Sequence, residues 1–157
     1  MKITLIQIGK TEEKYLLEGT DKFEKRLKHY INFSMVTIPA LKNTKNMSEV
    51  EQKKKEGELL LKLINNTDKL VLLDENGKDF TSVGFSDYLS NQMNKAVQNL
   101  VFVIGGPYGF DDKVYNRANE KISLSKMTFS HQMVRLFFTE QLYRAFTILK
   151  GEPYHHE

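Results

Sequence analysis

The stretch Asn99–Gly109, NLVFVIGGPYG, constrains this chain more than any other. Leu100 to Ile104 form a short apolar run that meets a glycine pair, and such a run bounded by a turn signal reads as a buried strand. Ligands of open α/β sheets bind beyond the carboxyl ends of the strands, which is where this run delivers the chain. Gly105 and Gly106 allow close approach to the main chain, and Pro107 stiffens the turn that follows. The loop therefore reads as a fixed wall of backbone donors and acceptors, suited to a small molecule.

The pattern around this wall alternates between strand and helix. Ile3, Leu5 and Ile8 mark a first strand ending at Gly9, and residues 11–30 carry Tyr15, Leu16, Phe23 and Leu27 at helical spacing among Glu and Lys. A second strand, Phe33 to Ile38, stops at Pro39, and Ala40 to Met47 is polar enough to be a loop. Ser48 with Glu51 three residues later is a capping box, so a helix runs from there to about Ile64, with KKKEGE at 53–58 as its charged face. Lys69 to Asp74 is apolar enough for a strand covered on both sides, and Asn76-Gly77 predicts a turn. A helix opening at Ser82, with Gly84 weakening its first turn, carries Phe85, Leu89 and Met93. Beyond the wall, Asp111 and Asp112 begin a short helix to about Asn119, Lys121 to Ser125 is a fifth strand, and His131 to Leu149 is a long helix ended by Gly151. The expectation is a single α/β domain with a mostly parallel sheet and helices on both faces.

Size and composition agree with one core: at 157 residues, with 40% apolar and 27% charged composition, a domain buries about 68–70% of its unfolded surface. The chain has no cysteine, which excludes disulfides and thiolate metal sites and makes the cytoplasm the expected compartment. No run approaches the ~18 apolar residues of a membrane span, so no membrane partner is expected. A net charge of +3 leaves room for a polyanionic partner without demanding one. The last helix is apolar on two sides, with Val134, Phe138, Leu142, Ala145 and Leu149 on one and Met133, Phe137 and Ile148 on another, which favours a two-fold homodimer. Glu140 and Arg144 are spaced to pair, either to stabilise the helix or to serve a site.

Elimination narrows the chemistry. The wall has neither the GK[ST] ending of a phosphate loop nor the GxGxxG of a dinucleotide fold, and no serine sits in a G-x-S-x-G elbow. No histidine cluster has metal-ligand spacing, so no metal is expected. Asp74 at a strand end reads as the cap of a turn.

The segments VFVIGGPYG, SLSKMTFSHQMVR, EQLYRAF and PYHHE, in that order near the end of a chain of this length, resemble the RlmH family of SPOUT-class methyltransferases. The resemblance extends to the MKI opening and KKKEG at 53–57, and so covers essentially the whole chain. It implies a SPOUT-type sheet with a carboxyl-terminal trefoil knot, the cofactor-binding part spanning about residues 70–157. It further implies a homodimer that uses S-adenosylmethionine to methylate N3 of a pseudouridine in a large-subunit ribosomal RNA hairpin, on assembled ribosomes. By the same resemblance the cofactor contacts are Leu73, Gly105, Leu124, Ser125, Lys126, Met127, Thr128 and Phe129. Tyr154 and His155 match the family's terminal pair and are expected to orient the base and assist its deprotonation. Arg135 and Arg144 are expected to steady phosphates or the target loop, with His131 lining the site. Ser130 departs from the family's proline, and His156 from its usual arginine or lysine. A non-catalytic ribosome-binding module and a small-molecule methyltransferase remain as alternatives.

Overall fold

Alternation along the strands decides the layering. In β1 (Lys2–Ile8), Ile3 and Leu5 face one core while Ile6 faces another, and in β4 (Asn99–Ile104) Leu100, Phe102 and Ile104 divide from Val101 and Val103 in the same way. Strands buried on both faces are the mark of a parallel sheet enclosed by helices. The computed structural model describes residues 1–156; Glu157, the last residue of the tail, lies outside them. Within the described residues, β1, β2 (Asn32–Ile38), β3 (Lys69–Asp79), β4 and β5 (Glu120–Ser123) form one all-parallel sheet in the order β2-β1-β4-β3-β5.

Five α-helices cover this sheet among the described residues. On one face α5 (His131–Leu149) packs between α1 (Lys14–Leu27) and α3 (Ser82–Asn94), and Phe138 meets Phe102 with ring centroids 4.8 Å apart. On the other face lie α2 (Glu49–Leu61) and α4 (Asp112–Arg117), whose Leu60 and Val114 join Leu70, Leu72, Val101 and Val103 in the second core. The predicted bounds of α5 agree with the structure, and α1 is shorter than expected at both ends. A single 3-10 turn, Thr44–Asn46, interrupts the loop after β2.

Three local expectations are corrected. Asn76-Gly77 does not end β3: Leu73 and Lys78 both pair with Ile122, so the intervening residues bulge and the strand continues to Asp79. The weakness of Gly84 in the first turn of α3 is offset by Thr81, whose Oγ1 accepts a hydrogen bond from Gly84 N at 3.0 Å. Glu56 and Gly57 do not belong to a solvated face of α2, because both are buried against the other elements of that layer.

Candidate functional site

The carboxyl ends of β3, β4 and β5 open into a cavity of about 630 Å³. The segment after β4 supplies its glycine wall: Gly109 N donates to the Gly106 carbonyl at 3.2 Å, and Gly109 takes φ +79°, closing a tight turn around Pro107 and Tyr108. The segment after β5 supplies the facing wall. There Ser123 Oγ donates to the Ser125 carbonyl at 2.9 Å, and Ser125 Oγ accepts from Met127 N at 2.9 Å, so the two hydroxyls fix the chain where it leaves the sheet. Ser130 Oγ accepts from Met133 N at 3.2 Å and caps α5, a task for which the expected proline has no side-chain acceptor.

Of the sequence-predicted cofactor residues, Leu73, Gly105, Leu124, Ser125, Met127, Thr128 and Phe129 line this one cavity, as does His131; Lys126 does not. Leu73 and Leu124 also touch the first core, so each combines packing with a face toward the cavity. Met127 is 75% exposed and Phe129 40%, with Phe129 packed on Phe137 at 5.0 Å, so the mouth carries an apolar rim. Asp74 caps the β3 bulge, its Oδ1 accepting from Asn76 N at 2.8 Å while Oδ2 accepts from the Tyr115 hydroxyl. Burial and the Asp74 carboxylate push the Tyr115 phenol well above its usual range, so it remains a donor. His131 is held below the usual histidine range, first by burial and then by the charge of Arg135.

Tyr154, His155 and Arg144 gather elsewhere, on the later turns of α5. Arg144 Nη2 and Nε reach Glu140 Oε1 at 2.6 and 3.1 Å, and the Tyr154 hydroxyl donates to the same oxygen at 3.0 Å. The guanidinium carbon lies 4.7 Å from the centroid of the Tyr154 ring. Arg144 Nη1 stands 3.2 Å from His155 Nδ1. Guanidinium N–H groups only donate, so Nδ1 is the acceptor of this contact. Burial and Glu140 raise the Tyr154 pKa, keeping the phenol protonated. Glu140, read from spacing as a partner of Arg144 that stabilises the helix or serves a site, is also the acceptor that organises the tail.

Arg135 is not placed to meet a phosphate. Its side chain is fully buried, donating from Nη1 to Thr11 Oγ1 at 2.9 Å and from Nη2 to the Ile8 carbonyl at 2.8 Å. It ties α5 to the end of β1, and is withdrawn from any RNA surface of the single chain. No group of three or more His, Cys, Asp or Glu side chains among the described residues is placed to hold a metal. No helix among them is long and apolar enough to cross a membrane.

A family model described as "Predicted SPOUT methyltransferase" matches residues 1–155. Three relatives called ribosomal RNA large subunit methyltransferase H align end to end or nearly so. That of Parabacteroides distasonis is 61% identical over all of both chains, that of Flavobacterium johnsoniae likewise 61%, and that of Christiangramia forsetii 62% over 99% of each.

Proposed function

The chain belongs to the SPOUT methyltransferase family, and from that premise we propose that it methylates N3 of a pseudouridine in large-subunit ribosomal RNA, on the assembled ribosome in the cytoplasm, as a homodimer using S-adenosylmethionine. The observation that carries this reading is the cavity itself, where residues separated along the chain at 73, 105 and 124–129 meet at the strand ends. The names of the relatives support an RNA substrate.

The residues present fit the donor. Leu73, Leu124 and Met127 offer apolar faces for a flat purine, and the wall loops offer backbone groups for its edges without a charged anchor. When bound, S-adenosylmethionine supplies a methyl group already activated by a sulfonium. The protein is left to orient the base, keep water out and ease loss of the N3 proton. If the N3 pKa lies ~2 units above the working pH, populating the anion costs about 2.7 kcal/mol. With its one phenolic O–H given to Glu140, Tyr154 is left to stack on the base or to accept a hydrogen bond from it. His155, accepting from Arg144 at Nδ1, is held beside Tyr154 in the same tail, and its imidazole suits proton handling near neutrality.

A second copy supports this chemistry better than one chain does. Glu140, which holds Tyr154, lies nine residues after His131 at the cavity, or roughly 13 Å along the helix axis, so the tail rests well away from its own chain's cavity. Met127, Phe129 and Phe137 leave an exposed apolar patch beside that cavity for a partner to cover.

Incubating the protein and S-adenosylmethionine with ribosomes lacking this methyl group tests the reading. A methyl at N3 blocks the pairing edge, so reverse transcription is expected to stop at one large-subunit position. Label appearing only on protein or small metabolites rejects the RNA assignment.

A further inference from the structure

Glu56 is 4% exposed although its side chain is ionisable, and Gly57 is buried beside it. Its carboxyl lies directly against the glycine wall: a β-carbon on Gly106 would stand 2.3 Å from Glu56 Oε2 and 3.1 Å from Oε1. Gly57 permits this closeness, since a β-carbon there would meet Val114 Cγ2 at 3.0 Å and Asp111 Cβ at 3.3 Å. Two missing side chains therefore let α2 press a carboxyl onto the main chain of Gly106. Gly106 lines the cavity and Glu56 does not, so Glu56 acts through the loop.

The surroundings disfavour the charged form. Oε2 has no hydrogen-bond partner among the described residues, and no ion pair among them includes Glu56. Burial pushes the carboxyl's pKa above the usual glutamate range, and Gln52 on the same helix, which favours the charged form, only partly opposes it. Across from this step of α2 stands Asp111 at the start of α4, itself an acid, whose Oδ2 accepts from Lys113 N at 3.2 Å. The Gly106 main chain brings no titratable group. Ionising Glu56 here buries an uncompensated charge, which the loop or α2 must move to relieve.

We propose that Glu56 is a positioning residue of the donor site, fixing the Gly105–Gly109 main chain in its receptive shape by filling the space behind Gly106. The proposal rests on the cavity being the S-adenosylmethionine site. Its pH dependence follows in sign: the neutral form prevails below the raised pKa, so donor affinity falls as pH rises through it.

Calorimetric titration of S-adenosylmethionine into the full-length protein, from mildly acidic to mildly alkaline pH, tests this. Wild type is expected to lose affinity as pH rises, while Glu56→Gln, which fills the same space and does not ionise, holds the low-pH affinity throughout. Glu56→Ala and Gly106→Ala should each weaken binding roughly tenfold by displacing the wall. The double variant should recover part of that loss, because deleting the carboxyl makes room for the new methyl. Melting curves identify any variant that fails to fold, and Glu56→Gln then carries the test. Wild-type and Glu56→Gln curves that coincide at every pH overturn the proposal, as do strictly additive losses in the double variant. Wild-type affinity that rises with pH also overturns it, since the carboxylate would then be a counter-charge to the sulfonium. Wild-type protein that takes up no donor removes the reading of the cavity, and this proposal with it.

Discussion

Arg135 and Arg144 occupy the same helix, and their partners differ in kind. Arg135 is fully buried, bonds only neutral oxygens of the β1 end, and has an Nε without a partner among the described residues. Arg144, with a side chain 24% exposed, is held by a carboxylate, lies against an aromatic face and reaches a histidine nitrogen. The first closes the junction of α5 with the strand layer. The second gathers the tail that the family resemblance links to catalysis. Residue type says little about role here; what lies opposite each guanidinium decides it.

The largest expected effect breaks the structural member of the pair. Arg135→Leu leaves the Ile8 carbonyl and Thr11 hydroxyl without their donor and should destabilise the fold by about 3 kcal/mol, measured as a lower urea midpoint at unchanged slope. A variant of normal stability that binds RNA poorly would assign Arg135 to the substrate instead. Arg144→Leu should behave the opposite way. Methylation should fall roughly a hundredfold through loss of tail alignment, while donor affinity holds and stability moves by less than about 1 kcal/mol. Equal losses of stability from both substitutions would erase the distinction.

The smallest effect is a pH slope. His131 titrates below its ordinary value in the folded protein, so on acidification the unfolded chain takes up its proton first. The associated stability is present above the ordinary histidine pKa and is lost as pH falls toward the lowered folded value. Denaturant titrations of wild type and His131→Gln across mildly acidic pH should show this slope only in wild type. A slope of the opposite sign would mean that His131 gains a partner for its charged form.

The legible features in the sequence were those governed by nearby residues. Ser48 Oγ accepts from Glu51 N at 3.1 Å, the serine half of the expected capping box, while the Glu51 carboxylate pairs with Lys55 at 3.4 Å. The apolar run before Gly105 is a central strand with β1 and β3 on its two sides. The misread features depend on residues far away in the chain. Asn76-Gly77 has local turn chemistry, but Ile122 holds the extended strand. Glu56 belongs to a charged run, and only the bare α-carbon of Gly106 across the layer explains its burial. Arg135 shares a helix with Arg144, yet its partners precede it by more than a hundred residues. The segments that line the cavity were recognisable from motif resemblance, whereas Glu140 as acceptor for Tyr154 emerged only when the tail folded back.

The strand order has a consequence for how the protein is made. β1 takes its central neighbour from β4, with Lys2 opposite Asn99, so β1 lacks that partner until β2, β3 and the helices between them have been made. A nascent chain ending after β3 has the β1–β2 pair and a lone β3, whose neighbours β4 and β5 are both still to come. Pairings of such long range are slow to form and leave strand edges open meanwhile. Phe138, which covers Phe102 of the joining strand, comes from the last helix. The core thus cannot close until α5 has been made, and a chain terminated before β4 is left with unpaired edges for chaperones and proteases to find.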